Sequence, residues 1–330
     1  MKPLHIPFLF LMLCALFACE TEIPFDGTVT DEVLVVNCLA CSDSVLQANI
    51  SVSRFFLEDD GEFPTVTNAT VALYVNGAFV ENLTNSGLGL YKSNFKPVEG
   101  DTVRLTVSAS GYEPVWAEVG FPIATKGFQI DSTITKTDTT ALVESSGGYG
   151  YEVKLDTVGV TYSYTHKYQI RFSDPPQESN FYRLIVREAN TYLGYTNQNY
   201  LNNFDDIVFG TKKDNLEGIF TESEYDQYNI FSDELIDGKT HTITLNYDQS
   251  FNYYYNRPEY KDPTGKLERS ITIDLQTISK SYYLYLKSLK ALAMADPFMS
   301  EPVQVYTNVQ GGLGIMGSRT NKQRKFVLPE

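Results

Sequence analysis

The sequence predicts a mainly β protein: a small antiparallel β-sandwich, then a second β-rich domain with one packed α-helix. Three observations carry this. Apolar and polar residues alternate with period two along most of the chain. Gly- and Asn-centred turn signals cut these runs at sandwich-like spacing. A single stretch, about residues 277–295, has helical periodicity. With 330 residues, 42% hydrophobic and 20% charged, the chain has length and composition for two globular domains.

The first domain spans residues 33–122. Ala48, Ile50 and Val52 alternate with Asn49, Ser51 and Ser53, and Val71, Leu73 and Val75 with Ala72 and Tyr74. Asn76-Gly77 follows at once and predicts a hairpin, because both residues tolerate positive φ. Val103, Leu105 and Val107 form a third such run, and Pro122 closes the domain. The stretch from Leu90-Tyr91 through Gly100-Asp101-Thr102-Val103 to Gly111-Tyr112 resembles transthyretin-like modules. This domain is therefore expected to be a transthyretin/immunoglobulin-like β-sandwich.

The second domain spans residues 123–330. Residues 123–160 are Thr/Ser/Gly-rich and read as loop, with Ser145–Gly150 the most flexible part. Strands are expected at 168–172, 182–186, 242–245 and 271–275, and the chain finishes with the runs Val303–Tyr306 and Phe326–Leu328. Tyr/Asn-rich connections fill 190–206 and 248–266. Ile278, Tyr282, Leu286, Leu289 and Ala293 mark the helix, which Asp296-Pro297 ends. Gly311–Ile315 reads as a turn, and no internal repeat is evident.

The N-terminus carries an address. Lys2 and His5 precede an apolar run from Leu4 to Ala18, too short for a permanent membrane helix but suited to a signal peptide, residues 1–18. Leu16-Phe17-Ala18-Cys19 resembles a lipobox, which implies cleavage before Cys19 and a lipid on its sulfur. Residues 19–32 are then the lipidated cysteine and its tether. An outer-membrane, lipid-anchored location is expected, with the cell-surface face favoured over the periplasmic one by the acidic start Glu20, Glu22.

The formal net charge is −15, from 26 Lys+Arg against 41 Asp+Glu. This argues against nucleic-acid binding and against docking on anionic lipid through charge. Beyond the signal and Cys19, two cysteines remain, Cys38 and Cys41. The run Val33–Val36 before them is strand-like and Ser42-Asp43-Ser44 after them turn-like, so a redox helix is disfavoured. A local disulfide at a strand end is the expected state in an oxidising envelope, with free thiols the alternative.

Several stretches together resemble one family. They are the acidic segment after Cys19, Phe181–Leu184, Phe231–Lys239 and, above all, Asp296-Pro297-Phe298, Glu301-Pro302-Val303, Asn308-Val309 and Gly311–Ile315. These look like the Bacteroidota lipoproteins of the domain of unknown function 4249 family. The resemblance implies an accessory role beside a TonB-dependent outer-membrane receptor in nutrient uptake, and it supplies no catalytic residues.

Tests for chemistry are negative. His166 and His241 are the histidines left after processing, both expected at exposed strand ends, and no nucleophile motif accompanies them. Glu58–Glu62 lacks the ligand spacing of a calcium loop, and Gly311–Gly314 lacks the Lys-Ser/Thr of a phosphate loop. No catalytic residue, metal or cofactor is expected. The candidate binding residues are Tyr253, Tyr254, Tyr255, Arg257 and Tyr260, read as a loop, because Tyr and Arg concentrate at binding hot spots. Packing of alternate tyrosines on the domain's own core is the competing reading. Tyr192, Tyr195 and Tyr200 form a second polar-aromatic segment. Five Asp-Ser/Thr motifs, beginning at Asp43, Asp101, Asp131, Asp138 and Asp156, resemble O-glycan acceptors. The expected function is a non-enzymatic accessory lipoprotein. The alternatives are an adhesive or structural protein that binds glycan or a surface protein, and a hydrolase using acidic residues.

Overall fold

A computed structural model describes residues 31–55, 63–146, 154–192, 195–201, 204, 206–209, 228–254, 268–295 and 301–328. Cys19, Glu58–Glu62, Tyr255, Arg257 and Tyr260 lie outside these. The protein is mostly β, with one α-helix among the described residues.

A nine-stranded sheet organises the fold. Its order is β12 (Tyr195–Leu201), β11 (Phe181–Tyr192), β15 (Glu268–Ile278), β16 (Leu313–Val327), β1 (Leu34–Cys41), β2 (Gln47–Val52), β6 (Leu90–Lys92), β5 (Thr84–Asn85). The short β13 (Ile230–Ser232) also pairs with β11. Two smaller sheets pack on one face of this long sheet. One is β4 (Ala78–Asn82), β3 (Thr70–Val75), β7 (Thr102–Ser108), β8 (Val115–Gly120). The other is β14 (Thr240–Tyr254), β10 (Lys154–Ser173), β9 (Lys126–Ser146).

Each packing interface buries its own core. The first unites Leu34, Val36 and Ile50 with Leu73, Leu105 and Ala117. The second unites Tyr182, Leu184, Ile273 and Leu275 with Ile170, Phe172 and Ile243. The alternation in each strand supplies one apolar face, as period two requires. The sandwich reading of residues 33–122 is thus seen in the packing of β1 and β2 on β3, β7 and β8.

The sheet nevertheless crosses the boundary drawn at residue 122. β16, from the far end of the chain, pairs in parallel with β1 from Val35↔Leu313 to Cys41↔Arg319, and antiparallel with β15. Even-numbered residues of β16 face both cores in turn: Met316 lies in the first, and Arg324 Nη1 donates to Ile130 O at 3.0 Å beside the second. Between them, at the seam, Ser318 Oγ donates to Gly120 O at 2.6 Å.

The helix α1 (Lys280–Met294) lies on the opposite face of the long sheet. Ser279 caps it by accepting from Tyr282 N, and the helix buries Tyr282 and Leu286 against the sheet. A Cβ on Gly317 would lie 2.9 Å from Tyr282 Cβ, so only glycine admits the helix this close to β16. The helix sits within the expected 277–295, but Ile278 ends β15 and Ala293 is exposed.

Three stretches expected as loops are strands. β9 and β10 form a hairpin of 21 and 20 residues covering most of 123–160, so each strand is about 70 Å long at roughly 3.3 Å per residue. β9 is exposed at every residue from Asp131 to Ala141, on both faces, and the absence of an apolar side gave no strand signal. Residues 195–201 form β12, and β14 runs on to Tyr254. Gly311–Ile315 leads directly into β16, whereas Val303–Tyr306 forms no strand.

The expected Cys38–Cys41 disulfide does not form, and both thiols are free. β1 continues through Cys41, so residues three apart point to opposite faces and their Cα atoms stand about 10 Å apart, beyond disulfide reach. Cys38 is fully buried in the first core, and burial pushes its thiol up to about 12.

The β1–β16 contact is tight at its glycines. Gly314 has φ +104°, and a Cβ there would fall 2.2 Å from Val36 O. Gly77 has φ +81° in the β3–β4 turn and open space around it. Gly314→Ala is therefore expected to lower the unfolding free energy by about 3 kcal/mol or more, from strain and overpacking together. Gly77→Ala should cost about 1 kcal/mol. Equilibrium urea unfolding measures both, and equal losses would contradict the tight pairing.

Candidate functional site

A cleft of about 770 Å³ opens where the two cores meet. One wall is the end of β8 and the segment after it, including Val119, Phe121 and Ile123. The facing wall is the turn after β10, including Pro175, Glu178 and Ser179, with Phe181 of β11. The N-terminal turn of α1 (Ser279–Ser281) and the strap carrying Tyr306 and Asn308 complete it. The walls combine apolar surface with a few polar groups, the usual make-up of a small-molecule site at a junction between packed units.

Local interactions fix each wall. Ser279 N donates to Ser318 O at 2.9 Å, and Ser279 Oγ accepts from Ser318 N at 3.1 Å, which pins the start of α1 to β16. Asn308 grips the same strand: its Oδ1 accepts from Met316 N at 2.9 Å and its Nδ2 donates to Met316 O at 2.9 Å. Tyr306 N donates to Ser288 Oγ at 3.0 Å and ties the strap to the helix.

The facing wall is held by carboxylates. Asp174, Asp233 and Asp237 bring ligand oxygens within 4.8 Å of one another, the one group among the described residues with the geometry to hold a cation. Each is already engaged across two turns. Asp174 accepts from buried Tyr182 OH and from Gly238 N at 3.0 Å, Asp233 from Asn180 N at 2.6 Å, and Asp237 from Gln177 N at 3.1 Å. Burial raises the Asp174 pKa and its two acidic neighbours add to this, while the hydrogen bonds from Tyr182 and Gly238 oppose it. The trio staples residues 174–180 to 233–239 and so shapes the cleft.

The residues singled out from sequence lie elsewhere. Tyr253 and Tyr254 are paired in β14 with Val160 and Gly159, so they stand on a strand and not on a loop. Tyr195 and Tyr200 are 84% and 59% exposed on β12, at the rim of the long sheet. Of the Asp-Ser/Thr motifs, those at Asp131 and Asp138 lie on the exposed part of β9. His241 sits at the start of β14, half-buried, with its Nε2 2.9 Å from Asp206 Oδ1.

His166 departs from its expected exposure. It lies mid-strand in β10, 1% exposed, between Tyr168 and Tyr247 at ring-centroid distances of 6.4 and 5.8 Å. Neither ring nitrogen makes a hydrogen bond of good geometry. Burial lowers its pKa, against weaker opposing pulls from Gln249, Glu188 and Asp248. The cleft itself left no local trace in the sequence, because its walls come from four separate stretches.

Two outcomes follow. Asp174→Ala leaves Tyr182 OH buried without its acceptor and should cost about 2–3 kcal/mol, against less than about 1 kcal/mol for exposed Asp237→Ala, both read from urea unfolding. With its pKa lowered by burial, His166 binds fewer protons folded than unfolded, so stability should fall as pH drops below the unfolded value of about 6.5. His166→Phe should flatten that slope by up to about 1.4 kcal/mol per pH unit, and an unchanged slope would place the proton uptake elsewhere.

No curated protein matches the chain. A family model described as a domain of unknown function, DUF4249, matches residues 20–325. That span takes in the first core, all of the second but Phe326 and Leu328, every wall of the cleft and the β1–β16 pairing, and the chain is accordingly a member of the DUF4249 family.

Proposed function

We propose that this protein is a non-enzymatic, lipid-anchored outer-membrane protein that holds a small ligand in the seam cleft and serves as accessory subunit to a TonB-dependent receptor in nutrient uptake. The cleft carries the binding part of this reading: its apolar walls and polar groups are fixed by Ser279, Asn308 and the Asp174 staple, and neither histidine nor cysteine lines it. The lipobox at Leu16–Cys19 supports the anchor, and the Bacteroidota lipoprotein resemblance supports the receptor partner and the envelope location. Direct adhesion to glycan or to a surface protein uses the same binding chemistry without a receptor.

One observation favours a second reading, an acid–base hydrolase. Glu118 and Glu178 come from opposite walls and both line the cleft. Paired carboxylates across a cleft are the arrangement such chemistry needs. Under this reading Glu118→Gln or Glu178→Gln abolishes turnover. Under the binding reading neither has a turnover to lose.

The deciding experiment is a mild-detergent pull-down of the tagged protein from its own outer membranes, with co-purifying proteins identified by mass spectrometry. A receptor in stoichiometric amount is expected. A partnerless protein sinks the accessory role and leaves direct binding, to be pursued on glycan arrays.

A further inference from the structure

Sheets that end in solvent normally blunt their free edges with charge, proline, a bulge or a cover, since an open row of N–H and C=O groups pairs with any strand that fits. The described edges longer than three residues follow that rule in all but one place. β9 carries Lys136 and Asp138, and its pairing with β10 skips Thr137 between them. β4 has a register shift opposite Leu73–Tyr74 and carries Glu81. β8 is bridged by Gln310, whose N donates to Trp116 O at 2.8 Å. β14 carries Asp248 along its length, and β5 has two residues.

β12 has none of these devices. It closes one end of the nine-stranded sheet, and no described strand pairs with its outer edge. Its sequence, Tyr195-Thr196-Asn197-Gln198-Asn199-Tyr200-Leu201, has no charge and no proline. It pairs with β11 in unbroken register from Tyr192↔Tyr195 to Val186↔Leu201. All residues from Tyr195 to Tyr200 are exposed.

We infer that this edge pairs with the β12 of a second copy of the chain, antiparallel and centred on Gln198, so that two nine-stranded sheets become one. The sequence is close to symmetric about that residue. In this register Asn197 faces the second copy's Asn199, Thr196 faces Tyr200 and Gln198 faces Gln198, so both copies gain the same contacts, as a two-fold interface demands. Each cross-strand pair is uncharged, which matters in a chain of net charge −15 whose copies otherwise repel. A foreign strand would be selected by side-chain pockets or charge pattern, and β12 supplies no charge. The opposite end of the long sheet is the two-residue β5, so association closes at two copies. Seven paired residues give an interface below the ~1,200 Å² of a stable complex, so the dimer is reversible and favoured by confinement of both copies to one membrane.

Cysteine cross-linking of the full-length protein in its own membranes tests this. In a Cys41→Ser background, Gln198→Cys brings two thiols directly opposite, with Cβ atoms about 5 Å apart. Thr196→Cys places them about 14 Å apart, four residues out of register. Under mild oxidation Gln198→Cys should give at least about tenfold more disulfide dimer than Thr196→Cys. Adding Asn197→Lys with Asn199→Lys, which sets like charges face to face, should remove it. Dimer formed equally in the background protein comes from the other cysteines and overturns the assignment. So does absence of a Gln198→Cys dimer, or its capture by a different protein. None of these results depends on the receptor pull-down.

Discussion

The fold depends on one contact: the parallel pairing of β1 with β16. It joins residues 35–41 to residues 313–319, so the first strand of the first core lies against the last strand of the chain. Without it, the long sheet divides into β12-β11-β15-β16 and β1-β2-β6-β5, and the two smaller sheets lose their common platform. Glycine is what lets the backbones meet, since a Cβ on Gly312 or Gly314 would press within 2.4 Å of Leu34 O or Val36 O. Such a contact carries the loop-closure cost of nearly the whole chain, whereas the β9–β10 hairpin closes locally.

Consequences run from that contact to the cleft. β16 presents Met316 to the first core and Ser318 to the seam, and from its other face it receives α1 over Gly317. The start of the helix, the Asn308 strap and the end of β8 are all fastened to this one strand, by Ser279, Asn308 and Ser318. The cleft is a by-product of joining two sandwiches on one sheet, which is why its walls are hydrogen-bonded in place without any sequence motif.

Polar groups gather where the cores end. Beyond Val186, β11 turns Glu188 inward, where Gln249 Nε2 donates to it at 3.3 Å. On the helix side of the sheet, Asp274 is 3% exposed; burial raises its pKa, and Gln276, Arg319, Arg187 and Arg183 oppose this. Arg183 in turn donates to Tyr282 OH at 2.9 Å, linking that polar patch to the helix. Buried polar groups of this kind contribute little net stability and act through the arrangement they specify.

The sequence by itself determined the class of the protein and its short elements. Period two placed Val71–Val75 and Val103–Val107 as strands, and Asn76-Gly77 fixed the turn that leads from the first of these into β4, because each reports only its own neighbourhood. The helix was legible from Tyr282 and Leu286 for the same reason. Only the tertiary structure decided the rest. β9 beyond Ile130 and β12 have no apolar face to read, and the Lys322–Lys325 run hides β16, which pairs through its backbone. Cys38 and Cys41 are kept apart because the strand continues through Cys41, up to the turn at Ser42. The cleft walls are far apart in the chain, 190 residues for Asn308 and Glu118, and no local pattern encodes a surface assembled across that separation.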